Sequence, residues 1–138
     1  MSPRIESPGR DGVAFYGSLM RGLGATATLK IQKRLRYVGP CLCAGELYDL
    51  GGFPGLRPGT ARVVAELYAM LDPGVLAILD EFECFDPAQP RDSLYVRERV
   101  TLLEPAGEEA WLYLYNRVPD ARERIPDGDW RSHLNSRE

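Results

Sequence analysis

Strand-like alternation of apolar and polar residues dominates this 138-residue sequence. The pattern covers residues 35–38, 42–47, 62–70, 94–103 and 110–115, with Gly and Pro interrupting it. The clearest helical signal begins at Asp72-Pro73, where Asp predicts an N-cap and Pro the first helical position. Residues 24–33 suit either a short helix or a loop. Because strands and helices do not alternate regularly, we expect an α+β fold with a curled, partly closed sheet.

Length and charge restrict the architecture and the class of partner. Residues 1–12 are polar and rich in Gly and Pro, which predicts a flexible tail. Residues 13–138 have the size of a single domain. The net charge of −3 gives no reason to expect nucleic acid or an anionic membrane as a partner. No apolar run is long enough to span a membrane, and the N-terminus lacks a signal-peptide core, so we predict a cytoplasmic location.

An apolar stretch, Val13–Tyr16, runs into Gly17 and Ser18. This pattern predicts a short buried strand that ends in a tight turn, with Gly17 at a point where a side chain would clash. Two interpretations remain open. The turn is either an ordinary loop or an anion-binding nest of outward-facing N–H groups.

The cysteines and the single histidine indicate that no metal is bound. Cys41, Cys43 and Cys84 are expected to be buried thiols, and their odd number argues against a disulfide scaffold. A structural zinc site needs four ligands at recognisable spacing, whereas His133 is the only histidine. We therefore expect no metal site.

One acidic residue of the predicted helix falls on its apolar side. With residues 100° apart, Glu83 lies within the arc of apolar residues, whereas Asp80 and Glu81 point toward solvent. That arc comprises Val75, Leu76, Ile78, Leu79 and Phe82. A carboxylate on the core side must be hydrogen-bonded, ion-paired or functional. Either the helix has ended and Glu83 caps a neighbour or pairs with Arg97, or Glu83 is a sheltered general base.

Several short motifs occur together in a consistent order over residues 13–115. They are Tyr16-Gly17-Ser18-Leu19, Gly45-Glu46-Leu47-Tyr48-Asp49-Leu50, Pro54-Gly55-Leu56, Leu79-Asp80-Glu81-Phe82-Glu83, Tyr95-Val96-Arg97 and Tyr113-Leu114-Tyr115. This ordered set resembles the γ-glutamylcyclotransferase superfamily. It is similar to the small bacterial branch and to γ-glutamylamine cyclotransferases, and less like the longer enzymes that cleave γ-glutamyl dipeptides or glutathione.

The resemblance implies a small mixed β-barrel, partly closed and flanked by one or two helices. It implies that Tyr16, Gly17, Ser18 and Leu19 hold a γ-glutamyl group, chiefly through backbone N–H groups. Glu83 would be the catalytic acid/base, and Tyr95 and Tyr115 would lie near the pocket. The reaction would release 5-oxoproline from a small γ-glutamyl substrate without a cofactor. The sequence departs from the family pattern at two positions, Cys84 and Ala65, where many relatives have glycine.

Two other functions remain open. Ser18 would be the nucleophile of a serine hydrolase if His133 reached it. Alternatively, the same fold would serve as a non-catalytic binding or interaction module, since a fold does not determine a function. A Glu83 carboxylate fully occupied by Arg97 would favour the module. A cavity that joins Glu83 to the Gly17 loop would favour catalysis.

Overall fold

A computed structural model describes residues 11–25 and 29–136 of the chain. The described part contains a five-stranded sheet, two α-helices and three short 3-10 helices. The strands are β1 Gly12–Phe15, β2 Leu35–Asp49, β3 Pro54–Met70, β4 Tyr95–Thr101 and β5 Glu109–Tyr115; the α-helices are α1 Gly74–Phe82 and α2 Trp130–Ser136; the 3-10 helices are Gln32–Arg34, Pro90–Asp92 and Ala121–Glu123. Most of the predicted tail, residues 1–10, lies outside the described residues, as does the middle of the 24–33 segment.

The longest strands, β2 and β3, form one antiparallel hairpin. Its turn contains Gly51 and Gly52, whose φ angles of 110° and 105° favour glycine. The connection is therefore a tight turn, and β3 already begins at Pro54. Register shifts near Gly39 and Gly45 bend β2 and interrupt its alternation, so two predicted strand segments are in fact one strand.

Strand β1 lies inside the sheet, whose order is β2-β3-β1-β5-β4. It runs antiparallel to β3 and parallel to β5, so the sheet is mixed. All four of its residues are buried, which explains why the stretch from Val13 is continuously apolar instead of alternating. The loop after β1 consequently starts from a fixed point in the core.

Edge contacts partly close the sheet. The Leu42 N–H donates to the Glu104 carbonyl at 2.9 Å, and the Leu103 N–H donates to the Leu42 carbonyl at 2.8 Å. These bonds join β2 to the segment that follows β4. The fold is thus α+β with a mixed, incompletely closed sheet and flanking helices, as predicted.

The helices differ from the prediction in three details. Helix α1 begins at Gly74, one residue later than predicted, and Asp72 Oδ1 accepts a hydrogen bond from the Gly74 N–H at 2.8 Å. Asp80 is buried, so its predicted exposure is wrong. The C-terminal segment, for which no helix was predicted from the sequence, contains α2, and its Trp130 is buried in the core. Within residues 11–25 and 29–136, no helix has the length and hydropathy of a membrane span.

Candidate active site

Helix α1 ends in a Schellman motif that fixes the backbone of Glu83. The Cys84 N–H donates to the Glu81 carbonyl at 3.1 Å, and the Phe85 N–H donates to the Asp80 carbonyl at 2.8 Å. Glu83 is the C-cap residue, and Cys84 follows it with a φ of 57°. This left-handed conformation normally selects glycine, because a Cβ atom is strained there. Cys84 therefore occupies a glycine-type position of the turn.

Glu83 faces a cavity of about 250 Å³ between the end of α1 and the loop after β1. The lining residues are Ala14, Phe15, Tyr16, Gly17, Ser18, Leu19, Phe53, Pro54, Phe82, Glu83, Cys84, Leu94, Tyr95 and Tyr113. Burial among these mostly apolar groups raises the pKa of Glu83 from its ordinary value of 4.5 to about 7. A carboxyl group with that pKa both accepts and donates a proton readily near neutral pH.

The three tyrosine hydroxyl groups of the cavity are bonded elsewhere. The Tyr16 hydroxyl donates to the Tyr113 carbonyl at 2.6 Å, and the Tyr95 hydroxyl donates to the Pro54 carbonyl at 2.6 Å. The Tyr113 hydroxyl donates to Asp80 Oδ1 at 2.6 Å. No hydrogen bond or ion pair of the Glu83 carboxylate is found within the described part of the chain. Its charge is consequently available to a ligand.

The expected structural partner of Glu83 is bound to a different acid. Arg97 Nε donates to Asp80 Oδ1 at 2.9 Å, and its Nη2 donates to Oδ2 at 3.2 Å. The Arg97 guanidinium also lies over the Trp111 ring, 4.6 Å from its centroid. Arg97 therefore neutralises Asp80 and holds α1 against β4, which excludes the predicted alternative of a Glu83–Arg97 pair.

The loop after β1 forms the opposite wall and presents free backbone donors. Considering residues 11–25 and 29–136, we find no acceptor bonded to the N–H groups of Gly17, Ser18 and Leu19. Gly17 has no left-handed φ; it is required because a Cβ there would lie 2.7 Å from Pro54 Cγ. The loop thus combines close packing with donors that suit an anion.

A buried carboxylate on β3 anchors this loop. Glu66 Oε1 accepts a hydrogen bond from the Arg21 backbone N–H at 2.8 Å and another from the Tyr68 hydroxyl at 3.0 Å. Glu66 Oε2 accepts from Arg131 Nη2 at 3.2 Å. Because these bonds satisfy both oxygens, Glu66 is a structural group that fixes the course of the loop.

Six of the seven residues proposed from the sequence lie on this cavity. These are Tyr16, Gly17, Ser18, Leu19, Glu83 and Tyr95. Tyr115 does not line it; its ring packs edge-on against Tyr95 at 5.6 Å between centroids, so it supports the wall. The site also contains Tyr113, which was not predicted from the sequence, although it shares the Tyr-Leu-Tyr motif with Tyr115.

The remaining candidates from the sequence lie apart from this chemistry. Cys41 and Cys43 are buried, as predicted, and burial raises the pKa of each thiol to about 12. Cys84 is exposed, so its predicted burial is wrong, because the turn after α1 places it at the cavity rim. His133 Nε2 lies 2.9 Å from Asp49 Oδ2, and His133 does not line the cavity. Across the described residues, no cluster of three His, Cys, Asp or Glu side chains is suited to a metal ion.

Comparison with known proteins gives the same superfamily as the ordered motifs. The family profile described as γ-glutamyl cyclotransferase, AIG2-like, matches residues 13–132. The γ-glutamylcyclotransferase family protein YtfP of Escherichia coli is 35% identical over 85 residues, which cover 62% of this chain and 66% of YtfP. This chain thus aligns with slightly less than two thirds of the length of that relative.

Solved structures agree with the family. The solution structure of E. coli YtfP superposes with a TM-score of 0.65 and 30% identity, over 89% of this chain and 98% of that one. A protein of Pyrococcus horikoshii, PH0828, gives a TM-score of 0.69 at 20% identity, over 92% of this chain and 95% of its own, and shows the same fold. The chain belongs to the γ-glutamyl cyclotransferase, AIG2-like family.

Proposed function

We propose that the protein is a γ-glutamyl cyclotransferase that converts a small γ-glutamyl amine or γ-glutamyl amino acid to 5-oxoproline and the free amine. One observation carries the proposal above the others. A Glu83 carboxyl group with a pKa of about 7 and no protein partner shares a cavity with three free N–H groups. Family membership supports the same chemistry.

In the proposed reaction, the nucleophile is the α-amino nitrogen of the substrate. Glu83 accepts a proton from this amine, which attacks the γ-carbonyl carbon and forms a new C–N bond. The amide C–N bond then breaks, and Glu83 returns the proton to the departing nitrogen. The atoms balance without water, because one amide replaces another. Holding the substrate in a folded conformation supplies much of the acceleration, since oriented intramolecular attack corresponds to effective molarities of roughly 10⁵–10⁸ M.

The loop after β1 supplies the electrostatic part of the proposal. The N–H groups of Gly17, Ser18 and Leu19 are suited to bind either the α-carboxylate or the oxyanion that forms at the γ-carbonyl. Tyr16 and Tyr95 line the same cavity as Glu83. Their hydroxyl groups are already donors to the backbone, so we assign them positioning roles.

The observed geometry weighs against a serine hydrolase. The Ser18 side chain is exposed on the loop, and the single histidine of the sequence pairs with Asp49 outside the cavity. A Ser-His nucleophile requires direct hydrogen bonding between the two side chains. The second candidate is a binding module, and the free Glu83 carboxylate makes catalysis the better-supported of the two.

Product identity tests the proposal. A γ-glutamyl amide with a free α-amine is expected to yield 5-oxoproline, detected by mass. The same compound acetylated on that nitrogen, and an α-linked glutamyl peptide, should remain intact because neither offers the required attack. Glutamate as the primary product, or comparable cleavage of the acetylated compound, would contradict the mechanism. No turnover across a broad panel would favour the binding module.

A further inference from the structure

Two exposed large apolar side chains lie on the rim of the cavity. Among the described residues, six large apolar side chains are exposed, and two of them, Phe53 and Phe82, line this cavity. Phe53 is 46% exposed on the hairpin turn, and Phe82 is 39% exposed at the end of α1. Exposed apolar groups from separate elements that line one cavity suit the binding of an apolar ligand group.

The same cavity is poor in charge. Within the described part of the chain, Glu83 is the one charged side chain that lines it. The free N–H groups of the loop after β1 and the Glu83 carboxylate suffice for the carboxylate and amine of a glutamyl group. A further charge on the leaving part of the substrate would lose hydration without gaining a partner, which is costly.

Cations on the neighbouring elements are bonded to other groups. Arg97 on β4 pairs with Asp80. Arg57 on β3 donates to the Tyr115 carbonyl at 3.0 Å. Arg21, beyond the cavity loop, pairs with Glu66 at 3.5 Å. None of these three lines the cavity, so none is placed to bind the carboxylate of a departing amino acid.

We infer that the preferred leaving group is an uncharged apolar amine, aliphatic or aromatic, whose substituent packs between Phe53 and Phe82. This inference rests on the proposed function and specifies its substrate class. An amino acid with a free carboxylate, or an amine with a second ammonium group, would be a poor leaving group for this site. Phe53 and Phe82 are then the specificity-determining residues.

Two matched pairs of substrates test the inference. The first pair is γ-glutamyl-phenylalanine and its carboxamide, which share one shape and differ in the charge of the leaving group. We expect kcat/KM to be at least about tenfold higher for the carboxamide. The second pair is γ-glutamyl-methylamide and γ-glutamyl-phenethylamide, for which we expect about a tenfold preference for the larger apolar group. Equal values, or preference for the charged or smaller member, would overturn the inference.

Variants assign the preference to the rim. Phe53→Ala and Phe82→Ala should each reduce the phenethylamide-to-methylamide ratio of kcat/KM several-fold. Leu103→Ala is the matched control, because Leu103 is 37% exposed and does not line the cavity. An unchanged ratio in both phenylalanine variants would remove the assignment to these residues.

Binding separates this inference from the proposed function. In calorimetry on Glu83→Gln, the dissociation constant should be lower for the carboxamide than for γ-glutamyl-phenylalanine. It should also be lower for the phenethylamide than for the methylamide. That order, combined with no turnover by the wild-type protein, would overturn the proposed function alone. Indistinguishable dissociation constants within both pairs, despite 5-oxoproline release by the wild-type protein, would overturn the inference alone.

Discussion

Two acids near the end of helix α1, Asp80 and Glu83, differ in whether other protein groups bind their carboxylates. Asp80 receives two hydrogen bonds from Arg97 and one from Tyr113. Glu83, three residues later, lies among mostly apolar groups. No bonded partner of its carboxylate is found in the described part of the chain. A buried carboxylate with partners connects elements of the fold. A half-buried carboxylate without them, in apolar surroundings, is kept near its point of titration, which is what acid–base chemistry requires.

The largest expected effect distinguishes these two roles by activity. Glu83→Gln should lower kcat roughly 10²–10⁴-fold, because the amide cannot transfer the proton. The fold and substrate binding should remain, as judged by circular dichroism and calorimetry. Glu81→Gln, an exposed change on the same helix, is the control and should be nearly neutral. Comparable activity of Glu83→Gln and wild type would contradict the assignment.

Removing the charge of Asp80 should instead reduce stability. Asp80→Asn leaves the Arg97 guanidinium without its counter-ion in a mostly buried position. Breaking such a pair costs about 3–5 kcal/mol of the free energy of unfolding, which urea denaturation measures. The same measurement on Glu81→Gln sets the baseline. A loss below about 1 kcal/mol would mean that the pair is not a structural connection.

The pH dependence of stability should reveal the raised pKa of Glu83. Below about pH 4.5 the carboxyl is protonated in both the native and the unfolded states. Between about pH 4.5 and 7 the unfolded chain loses the proton while the native state keeps it, so wild type loses stability relative to Glu83→Gln. The accumulated difference is about 3 kcal/mol and stays constant above pH 7. A stability difference between the two proteins that does not change with pH would exclude a raised pKa.

The smallest expected effect concerns Cys84, in the turn directly after Glu83. Cys84→Gly removes the Cβ strained by the φ of 57°, and we expect a gain of about 1 kcal/mol in the free energy of unfolding. Cys84→Ala is the matched comparison, because it removes the thiol and keeps the Cβ. If Gly and Ala had equal stability, backbone strain at this position would be negligible.

The strands were predictable where a pleated, half-buried surface enforces alternation, as in β4 and β5. The continuous hairpin of β2 and β3 was not, because the bulges near Gly39 and Gly45 interrupt the alternation on which the prediction depends. The inward direction of Glu83 followed from helical phase, although the helix itself ends at Phe82. The burial of Asp80 could not be predicted, since its partners Arg97 and Tyr113 lie 17 and 33 positions away.

The position of β1 in the middle of the sheet has a consequence for how the protein folds. The bond from the Tyr16 hydroxyl to the Tyr113 carbonyl joins residues 97 positions apart, whereas the β2–β3 hairpin closes locally. Distant pairings must overcome a larger loop-closure entropy, so a chain under synthesis cannot complete the cavity until β5 has emerged. In pulse-labelling hydrogen exchange during refolding, hairpin amides should therefore gain protection before those of β1; simultaneous protection would indicate that folding is concerted. The cavity wall nearest the N-terminus would then be among the last parts of the molecule to become ordered.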